Sequence, residues 1–189
     1  MFKAVVIGGS AGSFPGVLEI LSNIPADFNY PIFLALHRLK NVREGFVEAL
    51  MTKSNIPVIE PLDKTHIKKG IAYLAPSNYH MMVELGNTIA LSTGEMVKSS
   101  RPSIDVLLES AAYVYKNKLV GVLLSGANTD GANGMKHIKE GGGLTLVQDP
   151  ADCRIETMTD AAIKATNIDH IFSMDEIVRF LKNMDSVNV

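Results

Sequence analysis

The chain has 189 residues, 47% of them hydrophobic, and a formal net charge of −2 at pH 7. That length suits one domain with a sizeable core, and the charge offers no electrostatic case for a nucleic-acid partner. No apolar run reaches membrane-spanning length, Met1 leads straight towards the first strand without room for a signal peptide, and the single cysteine, Cys153, rules out an intramolecular disulfide and a cysteine-cluster metal site. The expectation is a cytoplasmic protein without membrane insertion.

The first element is the β-branched run Lys3-Ala4-Val5-Val6-Ile7, which stops at Gly8 and Gly9. Residues 14–24 follow with a helical apolar period through Val17, Leu18, Ile20, Leu21 and Ile24. Strand, tight turn and helix place Ser10 in the bend, beside a helix N-terminus. The second strand spans 31–36, and the helix between makes it a parallel neighbour of the first. His37 comes directly after it, on the same sheet edge as Ser10.

Residues 42–54 read as a helix and 56–59 as a short strand. Residues 70–76 form a strand and turn, and 79–84 with 88–91 form a hairpin around Leu85-Gly86-Asn87. His80 begins that hairpin and reads as a structural or rim histidine, as do His66, His137 and His170. Ser103 is the expected N-cap of a helix, with Asp105 in its first turn where the dipole favours a carboxylate. Arg101 precedes it and reads as a surface residue.

The run 119–124 is a buried strand, followed by a loop of small and turn residues, 125–134, that contains Asp130. Strands at 143–148 and 170–172, with helices at 156–165 and 174–183, complete the chain. Cys153 reads as a packed, inert thiol. The alternation predicts an α/β fold, a doubly wound, mostly parallel sheet with a small antiparallel hairpin excursion, in a single domain over 1–189. Such folds bind ligands beyond the carboxyl ends of their strands.

Gly8-Gly9-Ser10-Ala11-Gly12 matches G-x-S-x-G, the pattern of a nucleophile elbow. It gives neither G-x-G-x-x-G nor a Walker loop, and a plain glycine turn that happens to hold a serine is the better reading of the stretch alone. A base is needed to give the serine meaning. Three strand ends present Ser10, His37 and Asp130 on one edge, which suits a nucleophile, a general base and an orienting carboxylate. Backbone N–H groups at Ala11 and at Ala127-Asn128 could stabilise an oxyanion. The chain order serine, histidine, aspartate matches none of the α/β-hydrolase, chymotrypsin or subtilisin orders.

Six segments in order resemble the catalytic domain of the chemotaxis receptor methylesterase (CheB) family, over nearly the whole chain. They are Ile7 to Gly12, Leu36-His37, Tyr73 to Pro76 with His80, Arg101 to Leu107, Ser125-Gly126 with Asp130-Gly131-Ala132, and Gln148 to Cys153. The resemblance implies hydrolysis of glutamate γ-methyl esters on the cytoplasmic helices of methyl-accepting chemoreceptors, with release of methanol and, in some members, deamidation of receptor glutamine. It carries the serine, histidine and aspartate roles onto Ser10, His37 and Asp130, and implies no cofactor and no metal. Typical members add an N-terminal receiver domain, and here the single methylesterase-type domain is expected without it. The family usually has threonine at Ala11, glycine at Ser13, Met-Pro at Arg38-Leu39, Met-Gly at Ala127-Asn128, and Met-Pro at Met158-Thr159. These departures leave open a weakened binding module of the same fold, or an esterase for small molecules.

Overall fold

A computed structural model describes residues 1–37 and 45–184. The Arg38-Leu39 departure and the start of the expected helix at 42–54 lie outside the described residues. The strands of the main sheet are β1 (Ala4–Gly9), β2 (Ile32–Leu36), β3 (Val58–Ile59), β4 (Ala72–Leu74), β7 (Leu119–Leu123), β8 (Leu144–Gln148) and β9 (His170–Phe172), in the order β3-β4-β2-β1-β7-β8-β9. Every pairing within it is parallel.

β1 lies at the centre, and every one of its residues is buried. Successive side chains alternate between the two faces: Val5 and Ile7 join one core, and Ala4 and Val6 the other. Helices cover both faces, which explains a strand that reads as an unbroken apolar run rather than an alternating one. On the first face sit α1 (Phe14–Asn23), α2 (Phe46–Lys53) and α6 (Met174–Lys182); on the second sit α3 (Ile104–Tyr115), α4 (Ala132–Glu140) and α5 (Thr157–Ala165). Each fully buried Val, Leu or Ile contributes roughly 1.5–3 kcal/mol, so the central strand anchors both layers.

The helix ends carry their own signals. Ser103 caps α3 as expected, its Oγ accepting the Val106 N–H at 3.4 Å. Ser173 caps α6, and the Glu176 carboxylate returns to the Ser173 N–H at 2.8 Å, a reciprocal box.

The doubly wound expectation holds, with one refinement. The hairpin strands β5 (His80–Glu84) and β6 (Thr88–Ser92) pair only with each other and form a separate sheet. They pack on α3, where the Ser110 hydroxyl accepts the Val83 N–H at 3.1 Å. The excursion thus covers the outer side of a helix instead of extending the sheet. No helix among the described residues is long and apolar enough to cross a membrane.

Candidate active site

The strand order reverses at β1. The chain leaves β1 for β2 on one side, and β7 later takes the other. That reversal opens a crevice at the carboxyl end of β1, where ligands bind in open α/β sheets. Ser10 stands there.

Gly9 pairs in register with Leu36, so Ser10 and His37 occupy matching positions one residue past the ladder. Neighbouring strands run about 4.8 Å apart, which makes the two residues lateral neighbours. The His37 N–H donates to Gly9 O at 3.1 Å, and the Ser10 N–H donates to Ser125 O at 2.9 Å. The Ser10 carbonyl accepts both the N–H and the hydroxyl of Ser13, at 3.0 and 2.7 Å, which closes the turn. The Ser10 hydroxyl is half-buried and has no hydrogen-bond partner among the described residues.

Two glycines make this turn possible. A Cβ on Gly8 would lie 2.3 Å from Ile104 Cγ2, so its absence lets the start of α3 press against β1. Gly12 adopts φ +87°, which favours glycine, and a Cβ there would lie 2.7 Å from Arg154 Cβ and 2.9 Å from Ser125 Oγ.

The Asp130 side chain is fully buried, and that of His37 is 13% exposed. Asp130 Oδ2 lies 2.8 Å from His37 Nε2 and accepts the Ile104 N–H at 2.7 Å. Its Oδ1 accepts the Ser103 hydroxyl at 2.9 Å and the Asp105 N–H at 3.0 Å. Burial alone would raise the Asp130 carboxyl; the hydrogen bonds from His37 and from the Asp105 and Ile104 N–H groups outweigh it and hold the group below its ordinary value. An ionised carboxylate only accepts, so His37 Nε2 carries a proton, and in the neutral imidazole Nδ1 presents the lone pair.

The structure therefore brings His37 and Asp130 into direct contact and sets Ser10 beside them, without a Ser10–His37 hydrogen bond. A second serine and histidine also converge on Asp130, in a different arrangement. Ser103 Oγ bonds the carboxylate itself and is completely buried. His80, 4% exposed, accepts the Ser103 backbone N–H on Nδ1 at 3.2 Å, so its Nε2 donates to Glu95 O at 2.8 Å. His80 touches neither the Ser103 hydroxyl nor the carboxylate through these bonds. It is a strut between the start of α3 and the loop after β6.

That loop forms a tight turn. Val97 and Ser100 exchange backbone hydrogen bonds in both directions, and Lys98 and Ser99 both adopt left-handed φ, +48° and +62°. Non-glycine residues held this way cluster at functional sites. Lys98 Nζ donates to Thr129 O at 2.8 Å and lies 2.7 Å from Asp105 Oδ2. Asp105 Oδ1 in turn accepts the Gly131 and Gly134 N–H groups, each at 2.8 Å. Ser100 Oγ lies 3.5 Å from His37 Nδ1. Arg101 is held inside this frame: its guanidinium reaches Asn78 Oδ1, Thr93 O and Gly94 O, at 2.6 to 3.2 Å.

Sequence reasoning did not place Ser103, His80, Lys98 or Ser100 around Asp130. One signal was available. The first N–H groups of a helix need acceptors, and a buried carboxylate from another loop could supply one for α3. Nothing in Val97 to Ser100 marks two consecutive left-handed residues, because neither glycine nor asparagine stands there.

A doubly wound sheet with a serine and a histidine–carboxylate pair at its topological switch is the architecture of a hydrolase-type α/β domain. The family model for the CheB methylesterase matches residues 5–181, and the chain belongs to that family. It is 43% identical over 188 residues to a putative protein-glutamate methylesterase/protein-glutamine glutaminase of Leptospira interrogans, covering 100% of this chain and 97% of that protein. It is 37% identical to a protein-glutamate methylesterase/protein-glutamine glutaminase of Archaeoglobus fulgidus, matching 94% of this chain but only 53% of the longer relative. The crystal structure of the Thermotoga maritima CheB methylesterase catalytic domain superposes with a TM-score of 0.91 at 27% identity, covering 97% of this chain and 99% of that one.

Proposed function

We propose that the chain is a protein-glutamate methylesterase, hydrolysing glutamate γ-methyl esters on the cytoplasmic helices of chemoreceptors. Ser10 is the nucleophile, His37 the general base and then acid, and Asp130 the group that fixes the histidine tautomer. The observation that carries this reading is the 2.8 Å contact between His37 Nε2 and the buried Asp130 carboxylate, one strand away from a serine hydroxyl with no hydrogen-bond partner among the described residues.

The chemistry follows from which nitrogen is free. With Nε2–H given to Asp130, Nδ1 takes the Ser10 proton as Oγ attacks the γ-carbonyl carbon. The carbonyl oxygen becomes an oxyanion, for which the N–H groups of Ala11, next to Ser10, and of Ala127, two residues after Ser125, both on exposed residues, are candidate donors. The tetrahedral intermediate collapses, the C–O bond to the methoxy group breaks, and Nδ1–H protonates it to methanol. Water then attacks the acyl-serine ester and gives a proton to Nδ1; the bond from the acyl carbon to Ser10 Oγ breaks, Nδ1–H protonates Oγ, and the product acid leaves as the glutamate carboxylate after losing its proton to solvent. Glutamine deamidation is the same sequence with ammonia as the leaving group, and the relatives from Leptospira interrogans and Archaeoglobus fulgidus are named for that activity as well.

The deciding experiment measures methanol release from a methyl-esterified chemoreceptor fragment by wild type and Ser10→Ala. Release by wild type alone supports the reading. No release by folded wild type overturns it in favour of a binding module, and equal release by both overturns the assignment of Ser10.

A further inference from the structure

Arg154 is exposed and stands over the Ser10 turn. A Cβ on Gly12 would lie 2.7 Å from its Cβ and 3.2 Å from its Cδ, so the aliphatic stem runs across the turn two residues from the nucleophile. The backbone beneath it is fixed. Ser125 Oγ accepts the Ile155 N–H at 3.0 Å and shares its own proton between Ala11 O at 2.9 Å and Ile155 O at 3.1 Å. Gly126 N–H adds a bond to Ile155 O at 3.0 Å. One hydroxyl thus ties the segment carrying Arg154 to the segment carrying Ser10.

Among the described residues the guanidinium has neither an ion-pair partner nor a hydrogen bond. Among the described residues, Lys98 and Arg101 of this rim are engaged, Lys98 with Asp105 and Thr129 O, and Arg101 with Asn78 and two carbonyls. The Asp152 carboxylate, two residues before Arg154, accepts the Met174 N–H at 2.7 Å and pairs with neither Arg154 nor another cation among the described residues. A free, planar, five-donor cation on a clamped backbone is suited to reading a carboxylate on an incoming molecule.

We propose that Arg154 is a specificity-determining residue that selects a substrate segment bearing a carboxylate near the scissile ester. The inference rests on the methylesterase reading for the nature of the ester and for the helical segment that carries it. On a helical substrate, side chains one turn apart lie about 5–6 Å from each other. An acidic residue four positions from the ester can therefore reach the guanidinium while the ester faces Ser10. The neutral ester itself gives Arg154 nothing to pair with, so the cation discriminates by the neighbour and not by the reacting group.

The test reads binding, which keeps it separate from turnover. Two helical peptides carry the non-hydrolysable methyl ketone analogue of the ester, one with glutamate and one with glutamine four positions away. Wild type is expected to bind the glutamate peptide more tightly, by roughly threefold to fivefold at low ionic strength as for an exposed ion pair, with the difference fading in high salt. Arg154→Ala should erase the preference, Arg154→Glu should invert it, and Arg154→Lys should retain part of it. Equal affinity of wild type for both peptides, or a preference unchanged in Arg154→Glu, overturns the proposal. Should the preference follow Arg154 while wild type releases no methanol from receptor ester, the charge-reading role stands and the esterase reading fails.

Discussion

Asp130 Oδ2 serves Ile104 and His37 at once, accepting the backbone N–H of the first residue of α3 at 2.7 Å and facing the imidazole Nε2 at 2.8 Å. The same carboxylate caps a helix from another part of the chain and fixes the imidazole proposed as the base. Asp130→Asn therefore replaces an acceptor with a group whose NH2 must face donors. Turnover should fall by orders of magnitude through the wrong histidine tautomer. Stability should fall by about 2 kcal/mol, as for hydrogen bonds to a charged group. Activity assays and denaturant titration read the two losses in one variant.

The pH dependence has a definite sign. Asp130 titrates lower in the folded protein than in the unfolded chain. Its stabilising contribution is thus complete above the ordinary carboxylate range and is lost as pH falls through the depressed folded value. Acid unfolding curves of wild type and Asp130→Asn should converge towards low pH and separate above it. A constant gap between them would remove Asp130 as the source.

The two serines near Asp130 should separate cleanly. Ser10→Ala removes a hydroxyl that has no hydrogen bond among the described residues, so hydrolysis should vanish while the melting temperature stays within about a degree, as for substitutions away from packed or bonded groups. Ser103→Ala removes both the α3 cap and a bond to Asp130, so it should cost roughly 1–2 kcal/mol and only part of the activity. Full activity in Ser10→Ala, or none in a folded Ser103→Ala, would exchange their roles.

Gly8→Ala should act through α3. The added methyl would meet Ile104 Cγ2 at 2.3 Å. Overpacking of this kind costs about 1–3 kcal/mol, and the displaced Ile104 N–H would loosen Asp130. Destabilisation accompanied by a lower kcat is the expected outcome, measured by thermal melts and ester hydrolysis.

Cys153 should be a spectator. Burial pushes its thiol above the ordinary value, so it stays protonated and weakly nucleophilic at neutral pH. Iodoacetamide should react slowly and leave ester hydrolysis intact. Rapid alkylation with loss of activity would contradict this.

Much of the fold was legible because β1, β2 and β7 carry strong apolar runs with turn residues immediately after them. The matching of Ser10 to His37 followed from one crossover between parallel neighbours, which has a fixed geometry. The surroundings of Asp130 were not legible. Asp105 looked complete as a first-turn carboxylate, yet its Oδ1 is taken up by Gly131 and Gly134. Arg101 looked like a surface cation, yet it holds Asn78 and two loop carbonyls. Such partners are distant in sequence and leave no periodic trace. The hairpin was visible as a hairpin, but alternation within a strand does not say which layer its apolar face will cover.

His37 and Asp130 are 93 residues apart in the chain, and the carboxylate also draws in the start of α3. No contiguous fragment short of that span contains the pair. Contacts of such sequence separation form late, after the loop-closure entropy has been overcome. During refolding, catalysis should therefore lag the return of helical circular dichroism and coincide with the final cooperative step, making the esterase its own reporter of completed assembly.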